Sequence, residues 1–152
     1  MNRNLSDVMR GDILLVDDTP DNLRVLSAML TNQGFEVRKA LSGQRAIASV
    51  QADPPNLILL DIKMPEMDGY TVCQYLKNDP HTREVPVIFI SALDDALDKV
   101  RAFAVGGVDY MTKPFQEMEV LARIEHQLRI QKLQQQLMRQ NEELARSNRE
   151  LE

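Results

Sequence analysis

Residues 57–69, LILLDIKMPEMDG, constrain the fold more tightly than any other stretch. Four apolar residues in succession, Leu57 to Leu60, have the length and character of a strand buried on both faces, as in the middle of a parallel sheet. Asp61 follows at once, so a carboxylate stands where a hydrophobic strand ends. Pro65 and the Asp68-Gly69 pair then turn the chain into a helical pattern. Asp61 is thereby directed into the crevice at the carboxyl end of the sheet, where open α/β folds hold ligands. A turn cap would use Asp61 in the same place; the remaining strands decide between the two.

The same device recurs along the chain. Ile13-Leu14-Leu15-Val16 is a second buried run, and it ends in Asp17-Asp18. Thr19-Pro20 opens a helix whose apolar face is read from Leu23, Val25, Leu26, Met29 and Leu30, and Gly34 closes it. Phe35 to Lys39 is a short strand, and Ala46, Ile47 and Val50 mark a helix after Ser42-Gly43. The segment from Tyr70 to Lys77 is a third helix, broken by Asn78-Asp79-Pro80. Pro86 to Ile90 is a fourth strand ended by Ser91-Ala92. A helix through Val100, Phe103 and Ala104 runs to Gly106-Gly107, and Val108 to Met111 is a fifth strand ended by Thr112-Lys113-Pro114. Strands alternating with helices through short connections predict an α/β fold with a doubly wound parallel sheet of five strands.

Beyond Phe115 there is neither glycine nor proline. Leucines and isoleucines recur at helical spacing, so an extended C-terminal helix is expected. Ile130, Leu137, Leu144 and Leu151 lie seven apart, with Gln134, Asn141 and Asn148 three residues before the leucines. Leucine at d with asparagine at two a positions is the register of a parallel, paired coiled coil, so a parallel homodimer through residues 130–151 is expected. A solvated, Gln-rich helix is the plainer alternative. The expected organisation is an N-terminal extension over 1–11, one domain over 12–128 and a coiled-coil extension over 129–152. The coil is expected to continue toward an output domain.

Composition narrows the function. Net charge is −5 with acids and bases interspersed, and no basic patch favours nucleic acid or an anionic membrane as partner. The start has no signal-peptide core and the apolar runs are strand-sized, so neither export nor a membrane span is expected. A lone Cys73 inside a helical pattern suits a buried small residue in a reducing, cytoplasmic setting.

Four of the five strands end in a polar residue able to do chemistry: Asp17-Asp18, Asp61, Ser91 and Lys113. Gathered in one crevice, the carboxylates repel one another unless a cation joins them, and an all-oxygen set with room for waters and phosphate oxygens suits Mg²⁺. Alone, Asp17 and Asp18 serve equally well as helix caps, Ser91 as a turn hydroxyl and Lys113 as a surface lysine. Together they match phosphoryl transfer to a carboxylate. Asp61 is the nucleophile, Asp18 and, through water, Asp17 hold Mg²⁺, and Lys113 and Ser91 each pair with a phosphoryl oxygen.

Over roughly residues 12–130 these motifs resemble the receiver domain of bacterial two-component response regulators: Asp17-Asp18 after strand one, Asp61 in LLDIKMPEMDG, Ser91-Ala92, and Lys113-Pro114-Phe115. The resemblance implies a flavodoxin-like sheet of order 2-1-3-4-5 and phosphorylation of Asp61 by a sensor histidine kinase or phosphotransfer protein. It also implies the Lys63 backbone carbonyl as a further Mg²⁺ ligand, a cis bond before Pro114, and slow loss of the phosphoryl group rather than enzymatic turnover. Tyr110 matches the family's aromatic switch position, which turns inward when the hydroxyl residue, here Ser91, moves toward the phosphate. An ordinary half-buried tyrosine fits the same residue. The signal would reach the coil through the last helix.

Three other functions are weighed. A haloacid-dehalogenase-type phosphohydrolase needs a second acid two residues after its nucleophile at the end of strand one, where this chain has Asp17-Asp18-Thr19. A phosphorylation-independent dimerisation adaptor would use only the coil. His126, in Glu125-His126-Gln127, lacks the proline expected after a histidine phosphodonor and reads as a solvent-facing helix residue, and His81 carries no signal.

Overall fold

The computed structural model describes residues 10–151, so most of the expected 1–11 extension lies outside the described residues. Five strands alternate with five helices: β1 Asp12–Val16, α1 Pro20–Asn32, β2 Glu36–Ala40, α2 Gly43–Ala52, β3 Leu57–Leu60, α3 Gly69–Lys77, β4 Val87–Ser91, α4 Ala96–Ala104, β5 Asp109–Thr112 and α5 Glu117–Leu151. The sheet is parallel throughout, in the order β2-β1-β3-β4-β5. This is the expected flavodoxin-like arrangement, and β3 lies at its centre.

The period of two along each strand splits the core into two layers. Leu14, Val16, Ile58, Leu60, Val87 and Phe89 face α2, α3 and Ala102 of α4. Ile13, Leu15, Leu57, Leu59, Ile88 and Ile90 face α1 and the first turns of α5, where Val120 and Ile124 are fully buried. Each such side chain contributes about 2 kcal/mol of transfer free energy. Helix starts follow their side chains. Ser42, Asp68 and Asp95 cap α2, α3 and α4 by accepting from the backbone N–H groups of Arg45, Thr71 and Leu97. Gly34, at φ +93°, turns the chain from α1 into β2.

Several expectations need correction. Ser91 is the last residue of β4 rather than the first beyond it, while Pro86 and Val108 precede their strands. Val25 is exposed, so it is not part of the buried face of α1. The apolar residues that mark α4, Val100, Phe103 and Ala104, are exposed, Val100 and Phe103 at 64% and 50%; Leu97 is 76% exposed as well, and the helix buries only Ala102.

Helix α5 runs unbroken through residues 128–129, the expected boundary between domain and coil. Its base is tied to β5, where Arg123 donates to both oxygens of Asp109 at 2.8 and 2.9 Å. From Lys132 to Leu151 every residue is exposed, including Leu133, Leu137, Leu144 and Leu151. No described helix is long and apolar enough to cross a membrane.

Candidate functional site

Parallel pairing brings the carboxyl ends of β1, β3, β4 and β5 to one edge of the sheet. The ladder continues one residue past the strands. The Asp61 N–H donates to the Val16 carbonyl at 2.9 Å, Asp17 N–H to Ala40 at 3.2 Å, and Lys113 N–H to Ser91 at 2.8 Å. Backbone hydrogen bonds therefore fix three of the site residues before any side chain acts. The Lys113-Pro114 bond is cis, as expected.

One carboxylate oxygen from each of Asp17, Asp18 and Asp61 falls within 4.8 Å of the others. Asp17 and Asp61 are buried and Asp18 is exposed. The Lys113 ammonium bridges the two buried acids, 3.0 Å from Asp17 Oδ2 and 3.2 Å from Asp61 Oδ2. Asp17 is further held by the Thr19 N–H at 2.9 Å and the Asn22 amide at 3.1 Å, and Asp61 Oδ1 accepts from the Ile62 N–H at 2.8 Å. Burial pushes the Asp61 carboxyl above its ordinary pKa, Lys113 draws it back, and Asp17 adds to the rise. Burial alone would lower the Lys113 ammonium, but the two carboxylates outweigh it and hold its pKa above the ordinary value.

Three carboxylates against one ammonium leave two negative charges in a partly dry site, which a divalent cation would neutralise. The donors are all oxygen, and Asp18 opens onto a hollow of about 340 Å³ lined also by Lys63, Met64, Pro65 and Asp68. Hard oxygen donors beside open space for waters fit Mg²⁺.

The loop carrying Asp61 is shaped by Gly69. A Cβ there would lie 2.2 Å from the Asp61 carbonyl oxygen, and the Gly69 N–H donates to the Ile62 carbonyl at 2.8 Å, closing the turn.

Ser91 is 1% exposed, and its hydroxyl accepts from the Leu93 N–H at 3.2 Å. Tyr110 is buried against Phe89, with centroids 6.5 Å apart, and its hydroxyl donates to the Leu93 carbonyl at 2.5 Å. Tyr110 therefore faces inward, more deeply than a half-buried strand tyrosine would. Ser91 and Tyr110 meet at Leu93, which the spacing of the sequence did not reveal. Asn22 was also missed; an asparagine in the first turn of a helix has no distinctive signal. His126 is exposed on α5.

Comparison with known proteins agrees with this geometry. The family model described as response regulator receiver domain matches residues 13–125. "Response regulator PleD" from Caulobacter vibrioides is 45% identical over 116 residues, covering 76% of this chain and 26% of that protein. A "probable cyclic di-GMP phosphodiesterase" of Vibrio cholerae is 36% identical over 140 residues, 92% of this chain and 32% of its own length. The chain thus spans a third or less of these two relatives. Among solved structures, the signal receiver domain of a signal transduction histidine kinase from Syntrophus aciditrophicus superposes with a TM-score of 0.73 at 35% identity, covering 78% of this chain and 89% of that one. With the sheet order, the acidic edge and the family model in agreement, the chain belongs to the response regulator receiver domain family.

Proposed function

We propose that Asp61 is the phosphoacceptor of this receiver domain, taking a phosphoryl group from the phosphohistidine of a sensor histidine kinase or phosphotransfer protein. The observation that carries the reading is the buried Asp61 carboxylate held 3.2 Å from the Lys113 ammonium and within 4.8 Å of Asp17 and Asp18. An Asp61 oxygen attacks phosphorus, the histidine nitrogen leaves, and an acyl phosphate remains on the chain. Lys113 opposes the rise that burial imposes on the Asp61 pKa, which favours the ionised nucleophile, and its ammonium then pairs with a phosphoryl oxygen. Asp18, Asp17, Asp61 and the Lys63 backbone carbonyl would hold Mg²⁺, which supplies positive charge for the transferred oxygens. Ser91 offers its hydroxyl to another of them. No turnover is assigned beyond slow loss of the phosphoryl group.

The signal leaves through Ser91 and Tyr110, which share Leu93, and then through α5. Residues 130–151 pair in parallel with a second copy, with Leu137 and Leu144 at d and Asn141 at a; their exposure in the single chain supports this. The domain is read as 12–128 and the coil as 129–152, acting on a downstream effector in the cytoplasm. Phosphorylation biases two states of the coil, with about 1–3 kcal/mol of coupling.

Incubation with acetyl phosphate and Mg²⁺, followed by intact-mass measurement, tests the assignment. The wild type should gain the mass of one phosphoryl group and Asp61→Asn none. An unmodified wild type would leave the phosphorylation-independent dimerisation adaptor as the reading, and turnover of a phosphate ester would point to a phosphohydrolase.

A further inference from the structure

Helix α4 buries fewer residues than any other described helix. Its large apolar side chains face solvent and only Ala102 is buried, so apolar burial does little to hold it. Polar contacts replace it. Tyr110 donates to the Leu93 carbonyl just before α4, and Tyr70 donates to the carbonyl of Asp98 in its first turn at 3.0 Å. Arg101 of α4 lies over the Tyr70 ring, 4.3 Å from its centroid. One turn further along α3, the Cys73 thiol lies 3.4 Å from the Val105 carbonyl at the α4 C-cap. Both tyrosine rings lean on Phe89 of β4, with centroids at 5.8 and 6.5 Å.

The two tyrosines differ in what stands behind them. Tyr110 shares Leu93 with Ser91, whereas Tyr70 directly follows Gly69, whose backbone lies against the Asp61 carbonyl. A phenylalanine at position 70 would fill the same space against Phe89. The hydroxyl adds only the bond to α4, in a buried setting where such a bond is worth making.

We propose that Tyr70 is a positioning residue for α4: its hydroxyl holds the first turn of the helix to the Asp61 loop, a second link between phosphoacceptor and α4 that bypasses Ser91 and Tyr110. The second clause rests on the phosphoacceptor reading; the first does not. The link needs no large motion, because Gly69 and Tyr70 are adjacent and any shift of the Asp61 loop is passed to the α3 N-terminus directly.

Hydrogen exchange of the full chain by mass spectrometry tests both clauses. Without any phosphoryl mimic, Tyr70→Phe should speed exchange of the α4 amides about five-fold, the loss of one net hydrogen bond, while α1 and α2 amides keep wild-type rates. Unchanged α4 exchange, or an equal rise in all helices, overturns the hold on α4 and leaves Tyr70 a simple core aromatic. Beryllofluoride with Mg²⁺ then probes the link. The Ser91→Ala, Tyr110→Phe double variant should keep part of the wild-type response at α4, and adding Tyr70→Phe should remove it. A double variant already silent, or a triple variant still responsive, overturns the second link. A wild type whose α4 exchange does not respond overturns the link alone, since the mass gained from acetyl phosphate judges the phosphoacceptor reading and the mimic-free comparison judges the hold on α4.

Discussion

Gly69 has no room for a side chain. The nearest atoms to an added Cβ are the Asp61 carbonyl oxygen at 2.2 Å and Ile62 Cα at 2.9 Å, both backbone of the loop that begins at Asp61. Gly69→Ala should therefore cost about 1–3 kcal/mol or more by urea denaturation and slow phosphorylation as well; stability within about 0.5 kcal/mol of wild type would contradict the packing. Cys73 gives a prediction in pH. Burial pushes its thiol up to about 11 from an ordinary 9.0, and Lys77 only partly offsets this. The folded state thus holds the proton more tightly, so the stabilisation is complete below the unfolded value and is lost as pH rises from 9.0 toward about 11. The stability advantage of wild type over Cys73→Ala should shrink by about 1–2 kcal/mol between about pH 8 and about pH 10.5, and a constant difference would refute the shift. At this scale the acids and Lys113 were legible because each ends a strand, and a parallel sheet brings strand ends together. Tyr70, Asn22 and Leu93 were not, since their partners come from separate elements and depend on where a hydroxyl, an amide or a carbonyl points.

Elements were legible where apolar period and burial coincide. The strands β1, β3 and β4 read correctly because continuous apolar runs suit only a sheet covered on both faces. Helix α4 shows the limit: the spacing of Val100, Phe103 and Ala104 announces a helix but is silent on whether anything covers that face, and Val100 and Phe103 are left at least half exposed by the described residues. The distal part of α5 poses the same question with a clearer pattern. Its charged residues from Arg129 to Glu150 all fall at b, c and f of the heptad, leaving a, d, e and g uncharged, a distribution compatible with a paired helix. A lone helix of this polarity has little to hold it once clear of the domain, so helicity beyond Lys132 should depend on pairing. Leu144→Ala should raise the dimer dissociation constant roughly a hundred-fold in sedimentation equilibrium, the cost of an emptied d position in each strand. A wild type that sediments as a monomer at every concentration would refute the coil, leaving the receiver fold untouched.

For the whole molecule, the acidic site and the exposed half of α5 lie toward opposite edges of the sheet, since α5 runs back past Leu128, which lies beside Gly11 ahead of β1. The site sits at the carboxyl edge of the sheet, and α5 leaves the domain past Gln131, the last residue of the helix that is not fully exposed. Because α5 is a single helix from Glu117 to Leu151, a rotation or tilt imposed at its base is carried to the leucine column without a joint to absorb it. Helical phase then becomes the testable quantity. Seven residues inserted between Gln131 and Lys132 lengthen the helix by about 10 Å and return the leucine column to within about 20° of its original direction, whereas four residues leave it about 40° away. Cysteine cross-linking along the coil, with and without acetyl phosphate, should therefore keep its phosphorylation-dependent pattern in the seven-residue insertion and lose it in the four-residue one. The same response from both insertions would mean that the receiver communicates with the coil by proximity alone, for instance by freeing or covering its outward α4 face, and not through the orientation of α5.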